Sequence, residues 1–261
     1  MAKKFKDYYD VECAELFADK LGAQLTNFPK KDFIDWICKQ LPDLEFFQRQ
    51  DLFVDAFVKF LGDDYLANLM VFKQILGEEL QTDTGMFTHG WWLWPVGRYI
   101  ERLGAIQPEK SLSASLDFIG LLTKRFTGEF AIRPLLSAYP VKVMTQMEQW
   151  SLAQNVHLRR LASEGVRISL PWSKKLLVAI EQFDSYRSIL GNLRHAPEKF
   201  VQKSVGNNLN DLLKLYPEKA EAIIIDWEAG ESSKAMEWII KHGRRSIVKQ
   251  LRKKQRKQQT S

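Results

Sequence analysis

Cysteine is nearly missing from this sequence: Cys13 and Cys38 are the two thiols among 261 residues. They form no CxxC pair and have no histidine in a metal-ligand register, so neither a disulfide framework nor a zinc site is expected. A reducing, cytoplasmic setting follows as the expectation (nucleoid-associated in a bacterium), with both thiols acting as small apolar fillers. Long apolar runs are missing too. The run Trp91-Trp92-Leu93-Trp94-Pro95-Val96 falls far short of the roughly 18 residues a membrane span needs, so no membrane partner is expected. No apolar stretch of secretory type follows the opening Met1-Ala2-Lys3-Lys4-Phe5-Lys6-Asp7.

Familiar chemical signatures are absent as well. There is no GxGxxG after a strand-like run and no GxxxxGK[ST], so no nucleotide cofactor is expected. There is no GxSxG and no HExxH. The four histidines, His89, His157, His195 and His242, are scattered, and no metal is expected. An active site in this chain would have to run on carboxylates, without cofactors.

What is present is ordinary globular material, 45% hydrophobic and 27% charged. A chain of this mass can bury roughly 70–75% of its unfolded surface, ample for a self-sufficient core. The net charge of +6 conceals segregation. Residues 1–120 carry net −6, residues 121–205 net +7, residues 206–240 net −4 and residues 241–261 net +9. A basic centre and a basic tail divided by acidic segments suit a polyanionic partner met by selected faces; a merely solvated helix end would also explain the tail.

Apolar residues recur at helical spacing almost throughout. Phe53, Phe57, Phe60 and Leu61 form one stripe; Leu176, Leu177, Ile180 and Phe183 a second; Val201, Val205, Leu209, Leu212 and Tyr216 a third. Strand-length alternation is scarce. Pro134, Pro140, Pro171, Pro197 and Pro217 mark helix starts or links, and Gly22, Gly62, Gly77, Gly104 and Gly120 mark helix ends or turns. The pattern predicts an all-α chain of helical hairpins about 35–45 residues long, stacked as a HEAT-like solenoid, with a compact bundle as the alternative. One domain is expected over residues 1–250, followed by a basic, fraying tail over 251–261.

Three segments gather acids with basic or amide residues on amphipathic stretches. They are Phe126-Thr127-Gly128-Glu129-Phe130-Ala131-Ile132-Arg133-Pro134, then His157 through Trp172 with Arg159-Arg160-Leu161-Ala162-Ser163-Glu164-Gly165 and Leu170-Pro171-Trp172, then Lys203 through Leu212 with Asn207-Asn208-Leu209-Asn210-Asp211. Spacing alone allows a plain reading. Glu129 with Arg133, and Arg160 with Glu164, could be i,i+4 helix pairs, and Asp211 a solvated helix position. Trp172 could pack between helices, and the Trp91–Trp94 cluster reads as core.

These three segments, in this order, resemble the AlkC branch of the AlkC/AlkD superfamily of alkylpurine DNA glycosylases, over about residues 5–250. The chain departs from the family pattern at Arg167-Ile168-Ser169, where members commonly place a proline and a basic residue before LPW. The resemblance implies a HEAT-like solenoid whose concave basic face holds duplex DNA, and removal of cationic alkylated bases of the 3-methyladenine type; the chain itself is expected to be a monomer. It places the catalytic acids at Glu129, Glu164 and Asp211, and an arginine beside the site at Arg160. Residues expected to meet DNA are Arg159, Arg160, Arg167, Trp172, Arg194, Lys203, Asn207, Asn208, Arg244 and Arg245. Some members carry an immunoglobulin-like domain at the C-terminus, and the basic tail is expected to substitute for it. A non-catalytic helical-repeat protein for damaged or branched DNA, or a protein-interaction scaffold, are the competing functions.

The chemistry suits those residues. An alkylated purine is a cationic leaving group that needs no proton. As its glycosidic bond breaks, positive charge builds on the sugar, and a fixed carboxylate stabilises that transition state more than the ground state.

Overall fold

The computed structural model describes residues 3–250, and the expected tail at 251–261 lies outside them. Among the described residues there are fifteen α-helices and no strand. No helix there is long and apolar enough to cross a membrane. The chain divides into two compact units, with the break between Leu135 and Leu136.

The first unit holds α1 (Val11–Gln24), α2 (Lys30–Gln40), α3 (Phe46–Leu61), α4 (Tyr65–Ile75), α5 (Met86–Gly90), α6 (Trp94–Leu103) and α7 (Leu112–Thr123). Local chemistry starts several of these helices. Asp10 accepts the Glu12 N–H before α1, and Asp64 accepts the Ala67 N–H before α4. Glu45 and Gln48 close a reciprocal capping box on α3. Gly62 ends α3 at φ 92°, a left-handed conformation that suits glycine. Gly22 and Gly120, read from sequence as helix ends, instead lie inside α1 and α7. The core is aromatic: Phe17 meets Phe57 at 5.0 Å between ring centroids, Phe57 meets Phe72 at 5.0 Å, and Phe72 meets Tyr99 at 5.1 Å. Trp92 and Trp94 are buried, as a core cluster requires, and Cys13 is a buried free thiol.

The helix α8 (Ile132–Ala138) spans the break. The second unit continues with α9 (Pro140–Ser151), α10 (Val156–Glu164), α11 (Val178–Glu181), α12 (Phe183–Leu193), α13 (Lys199–Leu215), α14 (Pro217–Glu228) and α15 (Lys234–Gly243). Here α13 is central, packing on α10, α12, α14 and α15. The stripe read across Leu176 to Phe183 is not one helix. The Leu176 N–H bonds back to the Ile168 carbonyl at 3.1 Å, α11 begins only after Leu177, and Gln182 leaves helical geometry at φ −111°, ψ 49°. Of the four residues in that stripe only Leu176 is buried, while Leu177 is 48% exposed and Ile180 and Phe183 are half-buried, so the spacing misreported both burial and backbone.

The pairing of α13 with α15 is close because glycines face it. A Cβ built on Gly206 would lie 2.8 Å from His242 Cδ2 and 3.2 Å from the Ile239 carbonyl oxygen. A Cβ on Gly97 in α6 would make only an ordinary contact, 3.5 Å to Leu122 Cδ2. Gly206→Ala is therefore expected to lower unfolding free energy by about 1–2 kcal/mol through overpacking. Gly97→Ala should be neutral or stabilising by up to about 1 kcal/mol. Urea denaturation of the two variants checks the order, and a stable Gly206→Ala protein would contradict the close approach.

Candidate active site

Asn155 opens α10 by accepting the N–H groups of His157 and Leu158 at 3.0 and 3.3 Å. Leu161 and Ala162 then bury the apolar face, and the helix ends on Glu164. That is an awkward place for an acid. The helix dipole disfavours negative charge at a C-terminus, and Glu164 is only 5% exposed. It survives there through its neighbours. Arg167 Nη1 donates to Oε1 at 2.8 Å, Arg160 Nη2 lies 3.6 Å from the same oxygen, and the Ser204 hydroxyl donates to Oε2 at 2.6 Å. Burial alone would push this carboxyl up. The two guanidinium groups and the Ser204 hydroxyl outweigh it and hold Glu164 below the ordinary carboxylate range, hence ionised.

Arg167 also reaches α13. Its Nε donates to Asp211 Oδ2 at 3.1 Å and its Nη2 to the Ser169 carbonyl at 3.3 Å. One guanidinium thus joins two carboxylates, with Arg167 at 7% and Asp211 at 6% exposure. The plain i,i+4 pair of Arg160 with Glu164 does exist, but as the longer of the two arginine contacts. Asp211 is not the solvated position that spacing allowed. Behind the acids runs a neutral chain. Ser163 Oγ donates to Ser204 Oγ at 2.7 Å, Asn208 Nδ2 bonds the Ser163 and Ser204 carbonyls at 2.9 and 3.0 Å, and the buried Tyr186 hydroxyl donates to Asn208 Oδ1 at 3.0 Å.

The loop after α10 presents Trp172. The Ser173 N–H bonds the Leu170 carbonyl at 3.2 Å, making a turn with Pro171 second and Trp172 third. Trp172 has φ 63°, as the third residue of a type II turn must. A tryptophan there is strained, and its side chain is 66% exposed. Packing between helices is not its role in this conformation.

Glu129 belongs to the first unit. It lies in the turn before α8, not on a helix as expected, because 127–131 are non-helical and the Ile132 N–H bonds the Gly128 carbonyl at 3.0 Å. Its Oε2 accepts the Thr127 hydroxyl at 3.0 Å, and Phe130 beside it stacks on Trp94 at 5.4 Å.

Comparison with known proteins places this arrangement. The model of the DNA alkylation repair enzyme family matches residues 129–257, a span that opens on Glu129 and takes in Glu164 and Asp211. A solved structure, Pseudomonas fluorescens alkylpurine DNA glycosylase AlkC bound to DNA containing an abasic site analog, superposes with a TM-score of 0.82 at 28% identity. Over residues 129–257 the chain matches the DNA alkylation repair enzyme family. The likeness to AlkC covers 96% of this chain and 66% of the AlkC chain. The Bacillus subtilis (strain 168) protein YhaZ is 29% identical over 245 residues, covering 94% of this chain and 64% of YhaZ. The chain therefore spans just under two thirds of the length of these relatives. The all-α, HEAT-like class read from sequence is the class of the structural match.

The structure gives the residues expected to meet DNA different surroundings. Asn208 is 0% exposed, with its amide committed to backbone carbonyls and its carbonyl to Tyr186, so it braces α13 against α10 and α12. Arg167 is spent on the two acids. Arg159 donates to the Ala153 and Gln154 carbonyls at 2.8 and 2.6 Å and pairs with Glu198, which fixes the entry to α10. Arg244 is met by Glu221 at 2.9 Å and Glu228 at 3.7 Å. Arg194 is half-buried and bonds the Gly191 carbonyl, beside an open groove that also includes Arg187 and Asp226. Lys203, Asn207 and Arg245 lie together on the α13–α15 side, with Arg245 Nη2 donating to Asn207 Oδ1 at 2.8 Å. Sequence reading missed Ser204 and Ser163. The available signal was a small hydroxyl seven residues before Asp211 on the same face of α13. Among the described residues, no three His, Cys, Asp or Glu side chains are grouped to hold a metal.

Arg167→Met leaves two buried carboxylates facing each other without their shared cation. The expected loss is about 3–5 kcal/mol of unfolding free energy at neutral pH. In the wild type, Glu164 titrates below its unfolded value near about 4.3, so its contribution is complete above that pH and fades as pH falls through the lower folded value. In the variant Glu164 loses one of the cations that keep it ionised and protonates more readily, so the deficit should shrink below about pH 5. Urea unfolding across that range checks this; a deficit independent of pH would contradict the clamp.

Proposed function

We propose that this protein is a monofunctional DNA glycosylase that hydrolyses the N-glycosidic bond of cationic alkylated bases, of the 3-methyladenine type, in duplex DNA. The observation that carries the reading is the ionised carboxylate of Glu164, held by Arg160, Arg167 and Ser204 in a nearly dry setting. The family match over residues 129–257 and the likeness to AlkC, itself named as a glycosylase bound to DNA containing an abasic site analog, support it.

The leaving base carries its own positive charge, so the protein need not supply a general acid. What the reaction lacks is stabilisation of the sugar cation and an oriented water. Arg160 and Arg167 balance the charge of Glu164 and Asp211, so what meets developing positive charge is the local field of an oriented Glu164 carboxylate, fixed before substrate arrives and needing no reorganisation. Oε2 of Glu164 accepts from Ser204 and keeps a second lone pair for a water hydrogen. Arg167 is a positioning residue in this scheme: it sets both acids. Glu129 is assigned independently, from its own segment, as a second carboxylate acting on sugar or water. Trp172 supplies an exposed ring to stack on a cationic base or sugar edge.

Two outcomes test this. Incubated with methylated duplex DNA, the purified protein should release free 3-methyladenine. Glu164→Gln and Glu129→Gln should each slow release by about 10²–10³-fold while circular dichroism and melting confirm the fold. Undiminished release by both folded variants would remove these acids from the mechanism. For the turn, asparagine tolerates the left-handed backbone that strains tryptophan. Trp172→Asn is expected to be neutral or stabilising by up to about 1 kcal/mol, yet to weaken binding to abasic-site duplex by roughly tenfold, a stacking contribution of about 1–3 kcal/mol. Unchanged affinity would leave Trp172 without this task.

A further inference from the structure

Lys199, Lys203, Asn207 and Asp211 follow at four-residue spacing and share one stripe of α13. At 1.5 Å per residue the stripe runs about 18 Å and ends at the acid clamped by Arg167. The helix α15 packs beside it. Its Trp238 carries the Lys199 ammonium 4.2 Å from the ring centroid, and the His242 ring lies flat on the same indole, centroids 4.8 Å apart and planes 9° apart. His242 Nε2 stands 3.2 Å from Asn207 Oδ1, and Arg245 Nη1 donates to the His242 carbonyl at 2.6 Å.

What sets this cluster apart is how its charge is met. Arg159 and Arg244 have carboxylate partners. Lys199 donates to the Gln202 amide oxygen, and Arg245 donates to Asn207 and to two backbone carbonyls. Neither these two nor Lys203 has a carboxylate ion-pair partner among the described residues. Three cations therefore stand close together with neutral partners, next to an aromatic surface. A single small anion would satisfy one of them; a chain of phosphates satisfies them in turn.

We propose that this α13–α15 stripe, Lys199, Lys203, Trp238, His242 and Arg245, seats successive phosphates of one DNA strand. Lys203 and Arg245 were already candidate contacts; Lys199, Trp238 and His242 are new. The identity of the polyanion rests on the glycosylase reading. His242 makes the seat proton-linked. Burial, then Arg245 and Lys203, hold its imidazole below the ordinary range, so it is neutral near pH 7. The groups facing it are Trp238 and Arg245 from its own side and Lys203 and Asn207 from α13. Asp211 lies close enough to favour the charge on Arg245. A phosphate arriving among these cations offsets them and favours imidazolium, which the Trp238 face also stabilises. Binding then takes up a proton. Affinity rises as pH falls through the bound-state value and levels off below the free-state value.

The test is binding of fluorescent abasic-site duplex to the full chain between about pH 5.5 and 8, and between about 50 and 200 mM salt. Wild-type affinity should rise with acidity by up to about tenfold per pH unit. His242→Gln should flatten that rise. Lys199→Gln and Lys203→Gln, both at exposed positions, should each reduce the salt slope by about one. Equal pH slopes in wild type and His242→Gln, or unchanged salt slopes in both lysine variants, would overturn the proposal. Release of 3-methyladenine at saturating protein is measured in parallel. Release that persists while these slopes stay unchanged refutes the stripe alone; absent release with the expected slopes refutes the glycosylase reading alone.

Discussion

Two carboxylates buried within reach of one guanidinium impose order on the whole second unit. Glu164 closes α10 where the helix dipole opposes it, and Asp211 sits on α13 facing the same cation. A carboxylate buried to this degree is costly without a partner. Arg167 resolves both, and its reach is short because it follows Glu164 by three residues, turning back through an Arg167 N–H bond to the Glu164 carbonyl at 3.3 Å. Once it holds both acids, the register of α13 against α10 is fixed. The Ser163–Ser204 and Asn208–Ser163 bonds fall into place on the same contact.

The buried surface of α13 is accordingly polar at intervals, and each polar group has a defined acceptor or donor. Gln202 donates to the Ala196 carbonyl at 2.8 Å, and Asn210 donates to the Gly243 carbonyl at 2.6 Å, where α15 would otherwise leave an orphan. Such a helix has few alternative registers, since a shift would strand several groups at once. Rigidity of this kind is what a carboxylate needs if it is to act by its field.

The architecture was largely legible in the sequence, because helical periodicity, caps and prolines are local signals. The structure adds caps of short polar side chains, Asn155, Ser233 and Asp64, at three helix starts. The site was legible only in part. Arg167 and Asn208 looked like DNA contacts because a basic or amide residue near a motif carries no mark of its partner. Asp211 is 44 positions from Arg167 in the chain, and no periodicity links them. The helical stripe across Leu176 to Phe183 failed for a related reason: a single long-range backbone bond to Ile168 overrode the local pattern. Glu129 and Arg133 kept helical spacing, yet the glutamate stayed in the turn ahead of α8.

The same distinction sorts the basic residues of the second unit by what they can do. An arginine already matched to a carboxylate has given up most of its long-range field, and a phosphate reaching it must first displace that acid. Arg159, Arg167 and Arg244 are of this kind. Lys203 and Arg245 keep more of their fields, because neither is ion-paired to a carboxylate: Arg245 donates to an amide and to carbonyls, and Asp211 acts on it without a direct bond. Counting lysines and arginines along the chain therefore overstates the surface available to a polyanion and blurs where it lies. Pairing identifies it instead: the basic residues that fold the protein are those with an acid in reach, and those left for a partner border Asn207 on α13, one helical turn before Asp211.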